Sequence, residues 1–142
     1  MVLVAVPGGA IADALDSVQG ISGKTVIDAT NLIGTEPPSG FASNAEFVKS
    51  RTNGPTAKSF NLNFANQYGK LAEAKSRPSN LWSGDEEARG VVERLNRDAG
   101  YEPVRLGALD EAATQEHGTA IIFAVAQEIG PFFYRFAPPE QL

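Results

Sequence analysis

The 142-residue sequence contains no cysteine, which excludes disulfide bonds, thiolate metal sites and a cysteine nucleophile. It contains a single histidine, His117, and with no second histidine or cysteine to join it we predict no transition-metal site. The serines form no nucleophile elbow, so neither a Ser-His-Asp triad nor any other catalytic side chain is predicted. The absence of cysteine fits a cytoplasmic protein.

Basic patches and long hydrophobic runs are lacking as well. The formal net charge is −5, and no stripe of lysine or arginine offsets it, which argues against nucleic acid or an anionic membrane as a partner. The longest apolar stretch, 120–126, is far shorter than the roughly 18 residues of a membrane span, and no secretory signal precedes it. We expect one soluble domain over residues 1–142.

The glycine motif G-x-G-x-x-G, which holds a dinucleotide's pyrophosphate after the first strand of many parallel sheets, is also missing. The chain nevertheless opens with a continuous apolar run, Met1–Pro7, followed by two glycines and a helical pattern. Such a run is typical of a buried parallel strand that is covered on both faces. We therefore interpret the sequence as the second half of a nucleotide-binding fold without the first half.

Strand and helix alternate along the rest of the sequence, which predicts an α/β domain with a mainly parallel, doubly wound sheet. Residues 61–79 show no clear pattern. The predicted elements are a helix with the apolar stripe Ile11, Leu15 and Val18, strands at 24–28, 57–60, 80–83 and 103–106, and helices at about 44–51, 88–99 and 110–129.

Several details of these helices are also predicted. Ser43 with Glu46, and Ser83 with Glu86, have the spacing of a capping box at a helix start. Gly90 is expected to mark a close approach of two backbones, because glycine inside a helix otherwise costs about 1 kcal/mol. The second half of the last helix is apolar all round, which predicts burial or an interface.

The candidate binding residues follow from the rule that ligands lie beyond the carboxyl ends of parallel strands. The rule selects Val6-Pro7-Gly8, Thr30-Asn31-Leu32 and Phe60-Asn61, although the first of these is also an ordinary turn sequence. An asparagine amide donates and accepts hydrogen bonds at once, as the carboxamide of a nicotinamide requires of its partner, but asparagines also end strands in Asx turns. Lys58 is either a solvated lysine or a charge beside a phosphate or an acidic substrate.

The order of the motifs resembles a known family. The motifs are Val2–Pro7, Gly23–Asn31, Ser43–Glu46, Lys58–Asn61, Ser83–Asp85 and Gly100–Val104. Together they resemble the NADPH-dependent reductases of the deazaflavin coenzyme F-420, over nearly all of the chain up to about residue 107. The resemblance implies a Rossmann-like fold that is truncated, because the glycine fingerprint and the basic residue that reads the 2′-phosphate are absent.

The same resemblance implies an oxidoreductase that transfers hydride between NADP(H) and a deazaflavin, or between NADP(H) and a similar ring. Val6 and Pro7 are expected beside the nicotinamide riboside, Asn31 near the nicotinamide, and Lys58 and Asn61 near the facing ring. Together with Gly8 and Thr30 these residues form the predicted cofactor and substrate site. The cofactors carry the chemistry, so no metal and no catalytic side chain is needed.

The adenosine and pyrophosphate contacts would have to come from a complementing N-terminal half. Without that half we predict NADPH binding in the millimolar range or weaker, and an unguarded edge at Val2–Val6 that a second copy or another chain would cover. A lysine at position 4 is then expected to disrupt assembly. The alternative function is a non-catalytic interaction or oligomerisation module, which the aromatic tail 132–136 would equally suit.

Overall fold

The computed structural model describes residues 1–142 and shows a five-stranded sheet with helices on both faces, which confirms the predicted α/β class. The strands lie in the order of the chain, and every neighbouring pair is parallel except β3 and β4, which are antiparallel. The strands are β1 (Val2–Val4), β2 (Val26–Asp28), β3 (Thr56–Ser59), β4 (Ser79–Gly84) and β5 (Glu102–Gly107).

Five α-helices connect or follow the strands, and short 3-10 turns precede several of them. Residues 61–79, which had no clear pattern, contain the 3-10 segment Ala65–Glu73. None of the helices is long and apolar enough to span a membrane. The helices are α1 (Ile11–Asp16), α2 (Asn44–Thr52), α3 (Arg89–Asp98), α4 (Ala112–His117) and α5 (Thr119–Ile129).

The core consists of two apolar clusters, one on each face of the sheet. They form because successive side chains of a strand point to opposite faces, so neighbours such as Val26 and Ile27 in β2 enter different clusters. The cluster beneath α1 and α2 contains Val4, Ile11, Leu15, Val26, Phe47 and Val48. The cluster beneath α3 contains Ile27, Ala57, Trp82, Ala88 and Val92.

Strand β1 forms one edge of the sheet, as expected, since it pairs only with β2. The prediction that it is covered on both faces is wrong. Val4 is 7 % exposed and packs under α1, whereas Leu3 on the opposite face is 49 % exposed and Ala5 is exposed too. The reason is that the second cluster is built on β2, β3 and β4, so α3 does not bury the outer face of β1.

Ser43 caps α2 as predicted, because its hydroxyl accepts from the Glu46 amide at 3.1 Å. The reciprocal bond differs from that of a capping box: the Glu46 carboxylate accepts from the amide of Ala42, one residue before the cap, at 2.9 Å. The second predicted capping box is wrong. Ser83 belongs to β4, and its hydroxyl donates instead to a glutamine of α4. Gly90 does not mark a close approach either, because an added Cβ would meet nothing within 4 Å.

The last predicted helix is divided at Gly118 into α4 and α5. Helix α5 contains no buried residue, and four of its large apolar side chains are exposed: Ile121, Phe123, Val125 and Ile129. The apolar pattern of this helix predicted either burial within the chain or an interface, and burial within the chain is wrong. Val18 is likewise 48 % exposed, because α1 ends at Asp16, before the third position of the predicted stripe.

Candidate functional site

A cleft of about 370 Å³ lies at the carboxyl ends of β1 and β2, where the topology of a parallel sheet predicts a ligand site. We call it the strand-end cleft. It brings together four of the five predicted cofactor-binding residues, and only Thr30 does not reach it. Its lining residues are Ala5, Val6, Pro7, Gly8, Gly9, Ala29, Asn31, Ile33 and Thr35.

The turn after β1 is in direct backbone contact with the loop after β2. Gly8 is buried there, and a Cβ at this position would lie 2.1 Å from the carbonyl oxygen of Asn31. The buried side chain of Asn44, the first residue of α2, joins the two loops: its Nδ2 donates to the Gly8 carbonyl at 3.0 Å and to the Thr30 hydroxyl at 2.8 Å. Position 8 thus has no room for a side chain. Asn44, which joins the two loops, is a site residue that sequence reasoning missed.

Asn31 and Asn61 hydrogen-bond to each other across the two strand ends. Nδ2 of Asn31 donates to the Asn61 carbonyl at 2.9 Å, and Nδ2 of Asn61 donates to Oδ1 of Asn31 at 3.2 Å. Neither side chain bonds its own local backbone, so the Asx-turn interpretation is wrong for both; Asp28 makes that turn instead, accepting from the Thr30 amide at 2.8 Å. The pair is therefore a long-range contact.

The half-buried Asn31 amide keeps unused hydrogen-bonding capacity at the cleft. A carboxamide has two N–H donors and two acceptor lone pairs, and the bonds to Asn61 use one of each. One donor and one acceptor of Asn31 therefore remain for a ligand. Asn61 is only 4 % exposed and lies behind Asn31.

Lys58 is completely buried, so the interpretation as a solvated lysine is wrong. Its ammonium donates to Asp28 Oδ2 at 2.9 Å, to Glu116 Oε1 at 2.7 Å and to the Thr30 carbonyl at 2.6 Å. These three bonds use all three N–H donors of a lysine, so the direct ligand contact expected of Lys58 does not fit its environment. The ammonium instead joins the ends of β2 and β3 to α4.

Glu116, on α4, is the second buried acid of this network and was not predicted. Burial raises the pKa of its carboxyl group, and the attraction and hydrogen bond of Lys58 oppose that rise. Oε1 also accepts from the Asn44 backbone amide at 3.2 Å, while Oε2 is buried without a partner. The carboxyl group thus links α4 to the start of α2 as well as to the sheet.

On a continuous strand Lys58 and Asn61 would point to opposite faces, but β3 ends at Ser59, between them. Phe60 adopts a left-handed backbone conformation with φ 65°, which a residue with a bulky side chain rarely does. The turn brings Asn61 to the same helix that Lys58 contacts: Nε2 of Gln115 donates to Asn61 Oδ1 at 2.7 Å. Lys58 and Asn61 therefore both form hydrogen bonds with side chains of α4.

A second cleft of about 480 Å³ adjoins the first, and Thr35 belongs to both walls. Glu116 and the exposed His117 line it together with Leu32, Glu36, Pro37, Phe41, Ala42, Thr119 and Ala120. No group of three or more histidine, aspartate or glutamate side chains is arranged to hold a metal ion.

No protein-family model matches the sequence, and no curated protein matches it. Solved structures share the fold. The chain superposes with a TM-score of 0.81 on a proposed F-420-dependent NADP-reductase from Arthrobacter sp. FB24, with 21 % identity over 97 % of this chain and 70 % of the other. It also superposes on a hypothetical protein from Sinorhizobium meliloti, with a TM-score of 0.59 and 28 % identity over 79 % of this chain and 58 % of the other. These likenesses show a Rossmann-like fold.

Proposed function

We propose that this chain provides the nicotinamide end of an NADP(H)-dependent oxidoreductase that exchanges hydride with a deazaflavin such as F-420 or a similar ring. The observation that carries the proposal is the Asn31 amide, which offers one donor and one acceptor to a cleft at the strand ends. A nicotinamide carboxamide has the complementary acceptor and donor. The name of the Arthrobacter neighbour supports the same choice of cofactors.

The rest of the strand-end cleft suits a flat ring and its ribose. Val6 and Pro7 offer an apolar wall, and Gly8 allows close backbone approach because it has no side chain. Thr30 does not reach the cleft and supports it indirectly. Its hydroxyl accepts a hydrogen bond from Asn44, and its carbonyl accepts one from Lys58. Lys58 then supports the floor of the site rather than binding the acceptor ring.

The nicotinamide would supply the hydride chemistry, and the protein residues would supply orientation and exclusion of water. Orientation comes from Asn31, whose side chain is held by Asn61 and so keeps a fixed direction. Reduction of a deazaflavin takes up one proton together with the hydride. Water would supply that proton, because the residues that line the cleft include no acid or base.

The pyrophosphate has no glycine-rich loop in this sequence, so we infer that a complementing unit carrying the fingerprint binds it. The edge of β1 is where such a unit can continue the sheet. For this chain alone we expect NADPH affinity in the millimolar range or weaker, about −4 kcal/mol. Isothermal titration calorimetry measures it, and micromolar binding by this chain alone would refute the inference.

The experiment that tests the function replaces Asn31 or Asn61 by alanine in the complemented protein. Each change removes an orienting hydrogen bond and little buried apolar area, so hydride transfer should slow by about tenfold while stability falls by about 1 kcal/mol. Stopped-flow absorbance follows NADPH oxidation, and urea denaturation follows stability. Equal turnover of both variants and the unaltered protein would exclude a role for these amides in the reaction.

A second candidate function is an oligomerisation module without catalysis, and the outer surface of β1 favours it. A groove of about 390 Å³ with an entirely apolar lining runs beside this strand, and the strand itself carries no charged side chain. Two copies could therefore pair β1 against β1 without like-charge repulsion. The apolar groove is lined by Leu3, Ala5, Ala29, Phe60, Ala65, Tyr68, Leu95 and Ala99.

The structure corrects the substitution that tests this candidate. Val4 points into the core, so a lysine there would damage the fold; Leu3, which is 49 % exposed, is the right position. Leu3→Lys should turn an oligomer into a monomer in size-exclusion chromatography with an unchanged circular dichroism spectrum. Leu106→Lys, at a position 40 % exposed on the opposite edge strand β5, is the matched control. A protein that is monomeric without any substitution would remove this candidate.

A further inference from the structure

Helix α4 reaches the strand-end cleft through a chain of side-chain amides. Gln115 is 1 % exposed and does not line the cleft. Its Oε1 accepts from the Ser83 hydroxyl at 2.9 Å, and its Nε2 donates to Asn61 Oδ1 at 2.7 Å and to the Leu81 carbonyl at 3.2 Å. Strand β4 and the turn after β3 therefore determine which way the Gln115 amide faces.

The amides follow one another head to tail. Gln115 donates to the oxygen of Asn61, Asn61 donates from its nitrogen to the oxygen of Asn31, and Asn31 donates from its nitrogen to the Asn61 carbonyl. An amide that turned round would place oxygen against oxygen or nitrogen against nitrogen at every junction. The Gln115 side chain thus helps to orient Asn61, which also reaches the Gln115 main-chain carbonyl at 3.5 Å. Asn61 in turn orients Asn31 through both its side chain and its main-chain carbonyl.

We propose that Gln115 is a positioning residue that sets, through Asn61, which side of the Asn31 amide donates and which accepts in the strand-end cleft. The orientation itself does not depend on what binds there. Its consequence for the nicotinamide carboxamide rests on the function proposed above. The ligand class concerned is any ring with a carboxamide, for which donor and acceptor must not be exchanged.

Gln115→Glu is the sharpest perturbation, since it keeps the shape and replaces the donor Nε2 by an acceptor. Asn61 Oδ1 then faces an oxygen instead of a donor, while Asn61 Nδ2 keeps only its 3.5 Å contact with the main-chain carbonyl of residue 115. Asn61 is no longer held in one direction, so Asn31 is oriented by the Asn61 main-chain carbonyl alone. Gln115→Met, of similar length and without polar atoms, releases Asn61 without repelling it. Gln127→Glu, the same change at an exposed position of α5, is the matched control.

The first measurement needs no ligand: side-chain amide resonances of Asn31 and Asn61 are recorded by ¹H–¹⁵N NMR spectroscopy in the unaltered protein and the variants. We expect both resonances to shift in the two variants at position 115 and to stay in place in the control. Unshifted Asn31 resonances in a folded variant would overturn the proposal. If neither variant folds, the unaltered protein decides: protected Gln115 and Asn61 amide protons support the relay, and unprotected ones overturn it.

The second measurement uses the complemented protein and compares NADPH with its 3-acetylpyridine analogue, which lacks the carboxamide donor. Gln115→Glu should reduce the preference for NADPH in kcat/KM by about tenfold. NADPH can lose a hydrogen bond at both the carbonyl and the amino group of its carboxamide, whereas the analogue can lose only the bond to its carbonyl. An equal loss for both compounds would show that Gln115 is merely structural. Shifted Asn31 resonances in a protein that binds no NADPH would instead refute the proposed function and leave the relay intact.

Discussion

Adding one methyl group at Gly8 is expected to separate the two loops that form the strand-end cleft. The Cβ of Gly8→Ala would lie 2.1 Å from the Asn31 carbonyl oxygen and 2.8 Å from its carbon, where ordinary contacts begin at 3.4 Å. Both obstructing atoms are backbone, and the Asn31 side chain is itself bonded to Asn61, so the obstruction cannot rotate away. The loops must part by about 1 Å.

The cost of that movement follows from what the loops share. Overpacking a dense interior typically costs 1–3 kcal/mol, and parting the loops also breaks the bridge from Asn44 to Gly8 and Thr30, about 1 kcal/mol more. We expect Gly8→Ala to lower the free energy of unfolding by about 3 kcal/mol. For a domain of this size that corresponds to a fall in Tm of roughly 10 °C.

Two other glycines provide controls. Gly9→Ala meets only the Thr35 side chain, at 3.2 Å, and should be nearly neutral because that side chain can rotate. Gly54→Ala would place its Cβ 1.9 Å from the Lys24 carbonyl, away from the cleft, and should destabilise without altering the site. Urea denaturation and thermal melting measure all three. The reasoning is refuted if Gly8→Ala and Gly9→Ala differ by less than about 0.5 kcal/mol.

Three further substitutions test the fold around the site. Gly90→Ala should stabilise by about 1 kcal/mol in urea denaturation, since the position is helical and nothing lies within 4 Å of the new Cβ. Lys58→Met should cost about 3–5 kcal/mol in the same assay, because it leaves Asp28 and Glu116 buried without their cation. Burial raises the pKa of Glu116 above its ordinary 4.5, so the native protein binds a proton in a pH range where the unfolded protein has released it. The free energy of unfolding should therefore fall as the pH rises from about 4.5 through the raised pKa. Glu116→Gln should flatten that fall in denaturation curves recorded across pH; an equally steep fall in the variant would contradict the assignment.

Local patterns in the sequence predicted most of the sheet and the place of the cleft. Apolar β-branched runs mark β1 and β2, and the capping box of Ser43 and Glu46 marks the start of α2, because both signals arise from neighbours in the chain. The strand-end rule then located Pro7, Gly8 and Asn31 at one cleft. It could do so because parallel neighbours place their carboxyl ends at the same edge of the sheet.

Strand ends and the coverage of strand faces were predicted less well, because both depend on which other elements pack against the strand. The spacing of Ser83 and Glu86 is that of a capping box, yet Ser83 stays in β4, where its hydroxyl meets α4. Leu3 is as apolar as Val4, but only Val4 has a helix over it. Periodicity shows which residues share a face of a strand and not whether a layer covers that face.

The contacts that could not be predicted are those between a strand end and a residue far along the chain. Glu116 is 58 positions from Lys58, and on α4 it looks like any acid on a helix surface. The sequence did contain one indication of this network. A lysine in a strand otherwise rich in buried residues requires an acid as its partner, and Asp28 on the neighbouring strand lies directly opposite Lys58. Two acids and one lysine bring a surplus negative charge into the interior, and burial opposes it by raising the pKa of Glu116. The polar layer beneath the cleft is thus itself costly to bury, and it is bonded through the Thr30 carbonyl to the loop that carries Asn31.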